Sequence, residues 1–474
     1  MPQSDTQILD MLEEQLTSAR PEQSEAPARD RLTGLLSRET LLARIEQTIA
    51  RAAAPPHNGF ALLLLDLDGF KLVNHAYGHE AGDDLLRQVA ERVRTVSRAT
   101  DAVLPATRGN AAARLGGDEF VVVLEQLSRR EDAQAIGERL LTALATTDYW
   151  IQGTRVTIST SIGIVHSDGG YRNGSDLLRD ADAAMYAAKA AGRGRCALFD
   201  ASMSQRIRLR VDTERELRTA IDSEQLALVY QPIVSLHSGA VVGIEALVRW
   251  QHPAKGTIAP AQFLPIAVES GLIKPIGEWV AHKACRDFAK LRRQMGDSAP
   301  EFVSVNVSRR QLGDSALPAK LAEILSESTL EPRHLHLEIT ESELVMDLAV
   351  AKQTLDAIKG LGVGLSVDDF GTGYSSLASL HEFPIDIFKL DKSFMASSMR
   401  SAQGPALIAV AHAMILLARN INVRVIAEGV ETAEQLALLQ SLQCDMAQGY
   451  FLGRPMPLEA LATFHVPMRM NREK

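Results

Sequence analysis

Cysteine is scarce: Cys196, Cys285 and Cys444 are the only three in 474 residues, far apart and without C-x-x-C spacing. That excludes a disulfide framework and a structural zinc site, and leaves buried free thiols as the expectation. Long apolar runs are also missing, since none approaches the ~18 residues a membrane span needs. The opening "MPQSDTQILD" lacks the basic and apolar regions of a signal peptide, so a cytoplasmic protein is expected. Positive charge is in deficit as well. Lys and Arg number 50 against 59 Asp and Glu, a formal net charge of −9, which excludes broad affinity for nucleic acid or anionic membrane because phosphate tracking needs clustered cations. Any phosphate ligand has to be handled by local groups.

The chain is too long for one ordinary core and implies two or three domains. "DTQILDMLEEQLTSAR" puts Ile8, Leu9, Met11, Leu12 and Leu16 on a helical stripe behind an Asp5 cap, and "PEQSEAPARD" reads as a flexible connection. The stripe either docks on its own chain or pairs with a second copy. From residue 30, helical periods alternate with apolar runs such as "FALLLLDLD", "FVVVL" and "VTISTSIGIV", the pattern of an α+β domain ending near residue 200. The helix "MSQRIRLRVDTERELRTAIDSEQ" follows, with Arg206, Arg208 and Arg210 expected on a solvated face. Then eight β-rich runs recur over about 240 residues, from "ALVYQPIV" to "CDMAQGYF", the rhythm of a (β/α)8 barrel. The expected division is 1–29 for the N-terminal helix and connection, 30–200 for the α+β domain, 201–222 for the connecting helix and 223–474 for the barrel.

"RLGGDEF", residues 114–120, asks for explanation first. Gly116-Gly117 fits a two-residue hairpin turn, with Asp118 and Glu119 beside it. Alone, such a turn is only solubilising. "FALLLLDLDGFK", however, ends an apolar strand in Asp66 and Asp68, which the period of two puts on one face. A carboxylate at a buried strand end needs a partner or a cation. If the hairpin pairs beside this strand, Asp66 and Asp118 converge on a hard-oxygen site suited to Mg2+ and a nucleotide's phosphates.

Together with "DRLTGLLSR", "LLDLDGFKLVNHAYGHEAGDDLL" and "AMYAAKAAGRGR", this stretch resembles the GGDEF domain of diguanylate cyclases across residues 30–200. The resemblance implies condensation of two GTP into cyclic di-GMP, each GTP held by one domain of a homodimer. It implies Asp66 and Asp118 as Mg2+ ligands and Glu119 near the attacking 3′-hydroxyl. Asn74 and Asp83 match the guanine readers, and Lys71, Lys189 and Arg193 the phosphate contacts. His75 stands where the family usually has Asp. The family's inhibitory R-x-x-D usually lies five residues before the first Gly, where this chain has Thr107 and Asn110. The letters occur at Arg98-Ala-Thr-Asp101, with fourteen residues between Asp101 and Gly116, so product inhibition does not carry over.

In the barrel half, Glu245, Asn306, Glu338, Asp368, Asp369, Lys389, Glu428 and Gln448 end one strand after another. Any one alone reads as a solvated strand terminus, but eight on one barrel face read as a site. Five are oxygen donors for Mg2+ or Mn2+, and adjacent Asp368-Asp369 suit a two-metal bridge for phosphodiester hydrolysis. "FGTGYSSL" lacks the G-K-[ST] ending of a P-loop and reads as a flexible loop. His252 and His282 share no ligand spacing and are expected in structural roles.

Residues from about 213 to 465 resemble the EAL domain family of cyclic di-GMP phosphodiesterases, which implies two-metal hydrolysis to pGpG. Glu245, Asn306, Glu338 and Asp368 match the first metal's ligands, with Asp368 and Asp369 serving the second. Lys389 and Glu428 match the groups that bind and activate water, Arg249 and Gln448 the substrate contacts, and Glu341 the loop anchor. Val268 departs from the usual acid, away from the ligand positions. Three readings follow: an enzyme active in both halves, a phosphodiesterase whose first half binds GTP as a regulator, and a non-catalytic receptor. With every metal ligand present, the receptor is the weakest.

Overall fold

The computed structural model describes residues 28–53, 59–103, 110–127, 129–341, 348–371, 383–394 and 404–466. The Leu/Ile stripe of residues 8–16, Thr107, and the loop beyond Gly371 lie outside them, as do the side chains of Arg98 and Asp101. The chain divides into two compact units, residues 1–211 and 212–474. No helix among the described residues is long and apolar enough to cross a membrane.

In the first unit, helices α1 (Arg38–Ala52), α2 (Phe70–Tyr77), α3 (His79–Val103), α4 (Arg130–Ala145) and α5 (Gly174–Ala190) surround a five-stranded sheet. The sheet joins β1 (Gly59–Asp68), β2 (Ala111–Gly116), β3 (Glu119–Leu127), β6 (Ser159–His166) and β7 (Cys196–Leu198) in the order β2-β3-β1-β6-β7. The short strands β4 (Tyr149–Ile151) and β5 (Thr154–Val156) form a separate hairpin. Strand β1 is central and covered on both faces, which is why its sequence is a nearly continuous apolar run. Its alternation divides that run between two layers. Ala61, Leu63 and Leu65 pack with Leu85, Val89 and Val93 of α3, and Phe60, Leu62 and Leu64 with Leu41 of α1 and Met185 of α5. Continuing the same parity, Asp66 turns toward the α5 side.

A helix α6 (Ala201–Asp222) leads to the barrel, burying Leu217 and Ala220 in the barrel's core. Its face at Arg206 and Arg208 is exposed as expected, whereas Arg210 sits 4.9 Å over the Tyr186 ring. The barrel's eight staves are β8 (Leu226–Ser235), β9 (Val241–His252), β11 (Phe302–Asn306), β12 (Leu335–Thr340), β13 (Gly364–Phe370), β14 (Ile387–Leu390), β15 (Arg424–Ala427) and β16 (Met446–Ala447). β10 (Gly256–Ile258) is a hairpin extension of β9. Around them run α7 (Pro260–Ser270), α8 (Ile273–Met295), α9 (Leu317–Ser328), α10 (Leu348–Gly360), α11 (Gly404–Asn420) and α12 (Ala433–Ser441). Seven staves are parallel, and β8 is antiparallel to both neighbours, closing the ring between β16 and β9. The reason is local: residues 236–240 make a hairpin connection too short for a parallel crossover.

Leu335, Leu337 and Ile339 of β12 face the helices, which turns His336, Glu338 and Thr340 into the barrel. One end of the interior is plugged by Phe302, Ile233, Ile387, Ile426 and Met446. His336 lies on Phe302 with ring centroids 4.4 Å apart. A Cβ on Gly364 would sit 2.4 Å from the His336 ring, and one on Gly243 2.4 Å from Phe302. Burial pushes the His336 imidazole down to about 4. Between that value and the unfolded one near ~6.5, the unfolded chain binds the proton and the folded chain does not. Stability is therefore complete above the unfolded value and is lost as pH falls toward 4, by at most roughly 3 kcal/mol. His336→Phe keeps a ring against Phe302 and removes the titration. The variant's urea midpoint should fall less than wild type's between about pH 7 and about pH 4.5; parallel profiles would remove His336 as the cause.

Candidate functional site

Lys389 is the centre of the barrel site. Inward-facing on β14 and 1% exposed, its ammonium lies 2.6 Å from both Glu338 and Glu428, 3.5 Å from Asp368 and 3.6 Å from Glu245. Burial by itself would push this ammonium down, but the surrounding carboxylates outweigh it and hold Lys389 well above the ordinary lysine value. The acids divide the effect. Burial and the neighbouring Glu245 raise Glu338 well above the carboxylate range, and burial raises Glu428 to about 7. For Glu245, burial acts upward but is outweighed by Lys389 and by donors from Gln448 and Asn306, so its carboxyl is lowered.

Those donors are short and direct: Asn306 Nδ2 gives to Glu245 Oε1 at 2.9 Å and Gln448 Nε2 to Oε2 at 2.6 Å. Gln448 also donates to Gln231 Oε1 at 3.1 Å, while Gln231 donates to the Gly453 carbonyl, tying β8 and the loop after β16 to the same carboxylate. At β13 the pairing with β14 slips between Val367 and Phe370, inserting one extra residue. The bulge displays Asp368 and Asp369 side by side, and Asp369 takes a left-handed φ of 54° that a non-glycine residue adopts only where the fold imposes it. Just beyond, the Gly371 amide donates to Glu341 Oε2 at 2.9 Å, so Glu341 fixes the start of the loop. Arg249 shares the strand face of Glu245, but its guanidinium bonds to the Val248 carbonyl rather than to the cluster.

The donor set suits hard divalent cations: four carboxylates and an amide, with Glu338 Oε1 buried and without a hydrogen-bond partner. Among the described residues, no three acidic, imidazole or thiolate groups are gathered closely enough to hold a cation by themselves. In the barrel it is Lys389 that holds the acids together.

In the first unit, the hairpin does pair beside β1. Asp66 stands opposite Glu119 in register, and the Leu67 amide reaches the Asp118 carbonyl at 3.4 Å. Gly117 carries φ 52°, and Arg114 braces the turn by donating to its carbonyl at 2.7 Å. The two-residue turn is Gly117-Asp118 rather than Gly116-Gly117, because Gly116 still pairs with Glu119 at the end of β2, so Asp118 stands in the turn itself and Glu119 opens β3 opposite Asp66. Lys189 of α5 pairs with Asp66 at 2.7 Å. Burial, then the charges of Asp182 and Asp66, raise Glu119 to about 7. Asn74 packs over Gly82, where a Cβ would lie 1.9 Å from its Oδ1, and that buried oxygen has no hydrogen-bond partner. Asp83 and Lys71 are exposed beside it, and Arg193, at φ 59°, lies 3.9 Å from Asp68.

Asp68 itself is a clamp, accepting from Ser159, Ser161 and the Gly194 amide. Asn110 is structural too: it bridges the Ser97 carbonyl and the Glu125 amide, so the position where the inhibitory Asp would stand braces β3 instead. His252 accepts from the amides of Ala254 and Lys255, and His282 meets Glu327 at 3.0 Å, both in structural roles. Sequence reasoning passed over Gln231 and Asp182. Gln231 sits in an apolar-looking strand, and Asp182 in an alanine-rich helix, seven residues and two turns before Lys189; that spacing on one helical face is the signal that could have found it.

Comparison with known proteins follows the same division. The model described as "EAL domain" matches residues 214–455, and that described as "Diguanylate cyclase, GGDEF domain" matches residues 27–195. A bifunctional diguanylate cyclase/cyclic di-GMP phosphodiesterase, MucR of Pseudomonas aeruginosa, is 41% identical over 447 residues, covering 94% of this chain and 63% of that protein. The cyclic di-GMP phosphodiesterase NbdA of the same organism is 36% identical over 439 residues, 92% of this chain and 53% of that one. A solved MucR phosphodiesterase in complex with cyclic di-GMP superposes with TM-score 0.50 at 41% identity, over 53% of this chain and 99% of that one. The chain thus spans about half to two thirds of the curated relatives' length. Matched by the EAL model over half its length, behind a GGDEF match and on an eight-stranded barrel, the chain belongs to the EAL domain family in its tandem GGDEF-EAL form.

Proposed function

We propose that the barrel, residues 223–474, hydrolyses cyclic di-GMP to pGpG, and that the unit over 30–200 binds GTP and condenses two GTP into cyclic di-GMP. The observation that carries the first reading is the convergence of Glu245, Glu338, Asp368 and Lys389, from four strands, and Glu428, just past β15, on one buried point. Glu245, Asn306, Glu338, Asp368 and Asp369 would hold Mg2+ or Mn2+. Such ions, when bound, supply Lewis-acid charge to phosphoryl oxygens and lower the pKa of water. The chain's own residues do the rest. Glu428, half-buried and 2.6 Å from Lys389, would take the attacking water's proton. Lys389 supports the charge that shift leaves, and Arg249 and Gln448 hold the dinucleotide. Incubating the protein with cyclic di-GMP and Mg2+ or Mn2+, then identifying products chromatographically, tests this; no pGpG overturns it.

In the first unit, Asp66 and Asp118 would hold Mg2+ with GTP, Asn74 and Asp83 the guanine edge, and Lys71, Lys189 and Arg193 the phosphates. Glu119 lies opposite Asp66, where a 3′-hydroxyl proton would be received. One unit provides one set of nucleotide contacts, so cyclisation requires two GTP-loaded copies face to face. Asp118→Ala should weaken Mg2+-dependent GTP binding by on the order of 100-fold, since triphosphate charge is then left uncompensated. Titration calorimetry giving equal affinities for variant and wild type would remove Asp118 from the site.

A further inference from the structure

One concave surface of the barrel unit, lined by none of the proposed site residues, carries charge that neither the fold nor the proposed chemistry uses. Helix α8 bears Trp279, Lys283, Arg286, Lys290 and Arg293, three or four residues apart, which its turn gathers on one face. All five line a groove of about 780 Å3, flanked by Leu226 of β8 and by Ser328 and Thr329 at the end of α9. Its acids are mostly engaged. Asp287 accepts from the Tyr230 hydroxyl and from Lys283, both at 2.7 Å, and Glu327 faces His282, leaving Glu224 exposed at the edge.

Arg286, Lys290 and Arg293 are exposed, and none has an anionic partner among the described residues. Arg293 lies in the last helical turn, where a cation offsets the helix dipole. That explanation does not reach Lys290 and Arg286, which sit farther inside the helix. In a chain of net charge −9, a groove with three unpaired cations concentrates anions locally.

We infer that this groove binds a nucleoside polyphosphate. Arg286 and Lys290 stand about 6 Å apart along the helix axis, a spacing that lets both reach one run of linked phosphates, with the guanidinium gripping two oxygens. Trp279, half-buried against the barrel core, lines the groove about 10 Å further toward the helix N-terminus, where the part of its indole that borders the groove would meet a base. The volume is within the range of small-ligand sites. The groove uses no carboxylate cluster, so the ligand would bind without a divalent ion. That separates it from the nucleotide site of the first unit.

The test is calorimetric titration of the full chain with ATP, and separately with sodium tripolyphosphate, in EDTA. Wild type should bind one ATP, more tightly than tripolyphosphate because the base adds its stacking. Arg286→Ala/Lys290→Ala changes two exposed side chains and should weaken ATP binding roughly tenfold or more, with an unchanged thermal melt. ATP binding by the double variant equal to wild type overturns the proposal, as does no binding to wild type at about millimolar ATP. Equal affinity for tripolyphosphate and ATP would reduce the groove to an anion site and overturn the nucleotide assignment.

Discussion

Glu245→Ala is expected to lower cyclic di-GMP hydrolysis on the order of 1000-fold or more while leaving the barrel folded. Two losses coincide in that substitution. It removes a hard-oxygen donor, and it releases Asn306 and Gln448, whose amides are held on its two oxygens at 2.9 and 2.6 Å. Folding survives for an electrostatic reason. Four acids surround one ammonium, so removing one acid reduces an excess of buried negative charge rather than stranding a cation. The melting temperature should hold or rise, and calorimetry with Mn2+ should show weakened binding. Normal pGpG production by Glu245→Ala would sink the assignment of this cluster as the site.

That Glu245, Glu338 and Asp368 come together was legible because acids at the ends of apolar runs are costly unless partnered, and all three stand there. What the letters could not show was who holds whom. Lys389 reads as one cation in "IFKLD", and only strand register puts its ammonium against three acids from β9, β12 and β13 and a fourth just past β15. The left-handed Asp369 arises from a slip against β14, a relation between strands rather than a property of "VDDF". Asp66 and Asp68 look equivalent by parity, yet two serines of β6 claim Asp68 and leave Asp66 to Lys189. The barrel rhythm was legible for the same reason as the strand ends, through alternation. The reversed direction of β8 was carried by the shortness of residues 236–240, a length rather than a pattern.

Lys389→Met gives the second large effect, on stability rather than turnover. The side chain is buried and its length is kept, so the change is chiefly the loss of one positive charge among Glu245, Glu338, Asp368 and Glu428. Breaking a buried ion pair on one side costs about 3–5 kcal/mol, because the partner charges stay buried without compensation. Burial already raises Glu338 and Glu428 above the unfolded carboxylate value, and without Lys389 to oppose it their rise is larger. A carboxyl raised in the folded state favours folding fully only below its unfolded pKa, and that contribution is lost as pH climbs through the folded value. In EDTA the variant should therefore be more stable near pH 5 than near pH 8, with its deficit against wild type growing across that interval. Mn2+ added near pH 8 should recover much of the loss, since a cation bound only by the folded state stabilises it by mass action. Urea midpoints at the two pH values, with and without Mn2+, decide the matter. A deficit that is flat with pH and indifferent to Mn2+ would mean that Lys389 serves packing alone and that the acids around it are not a cation site.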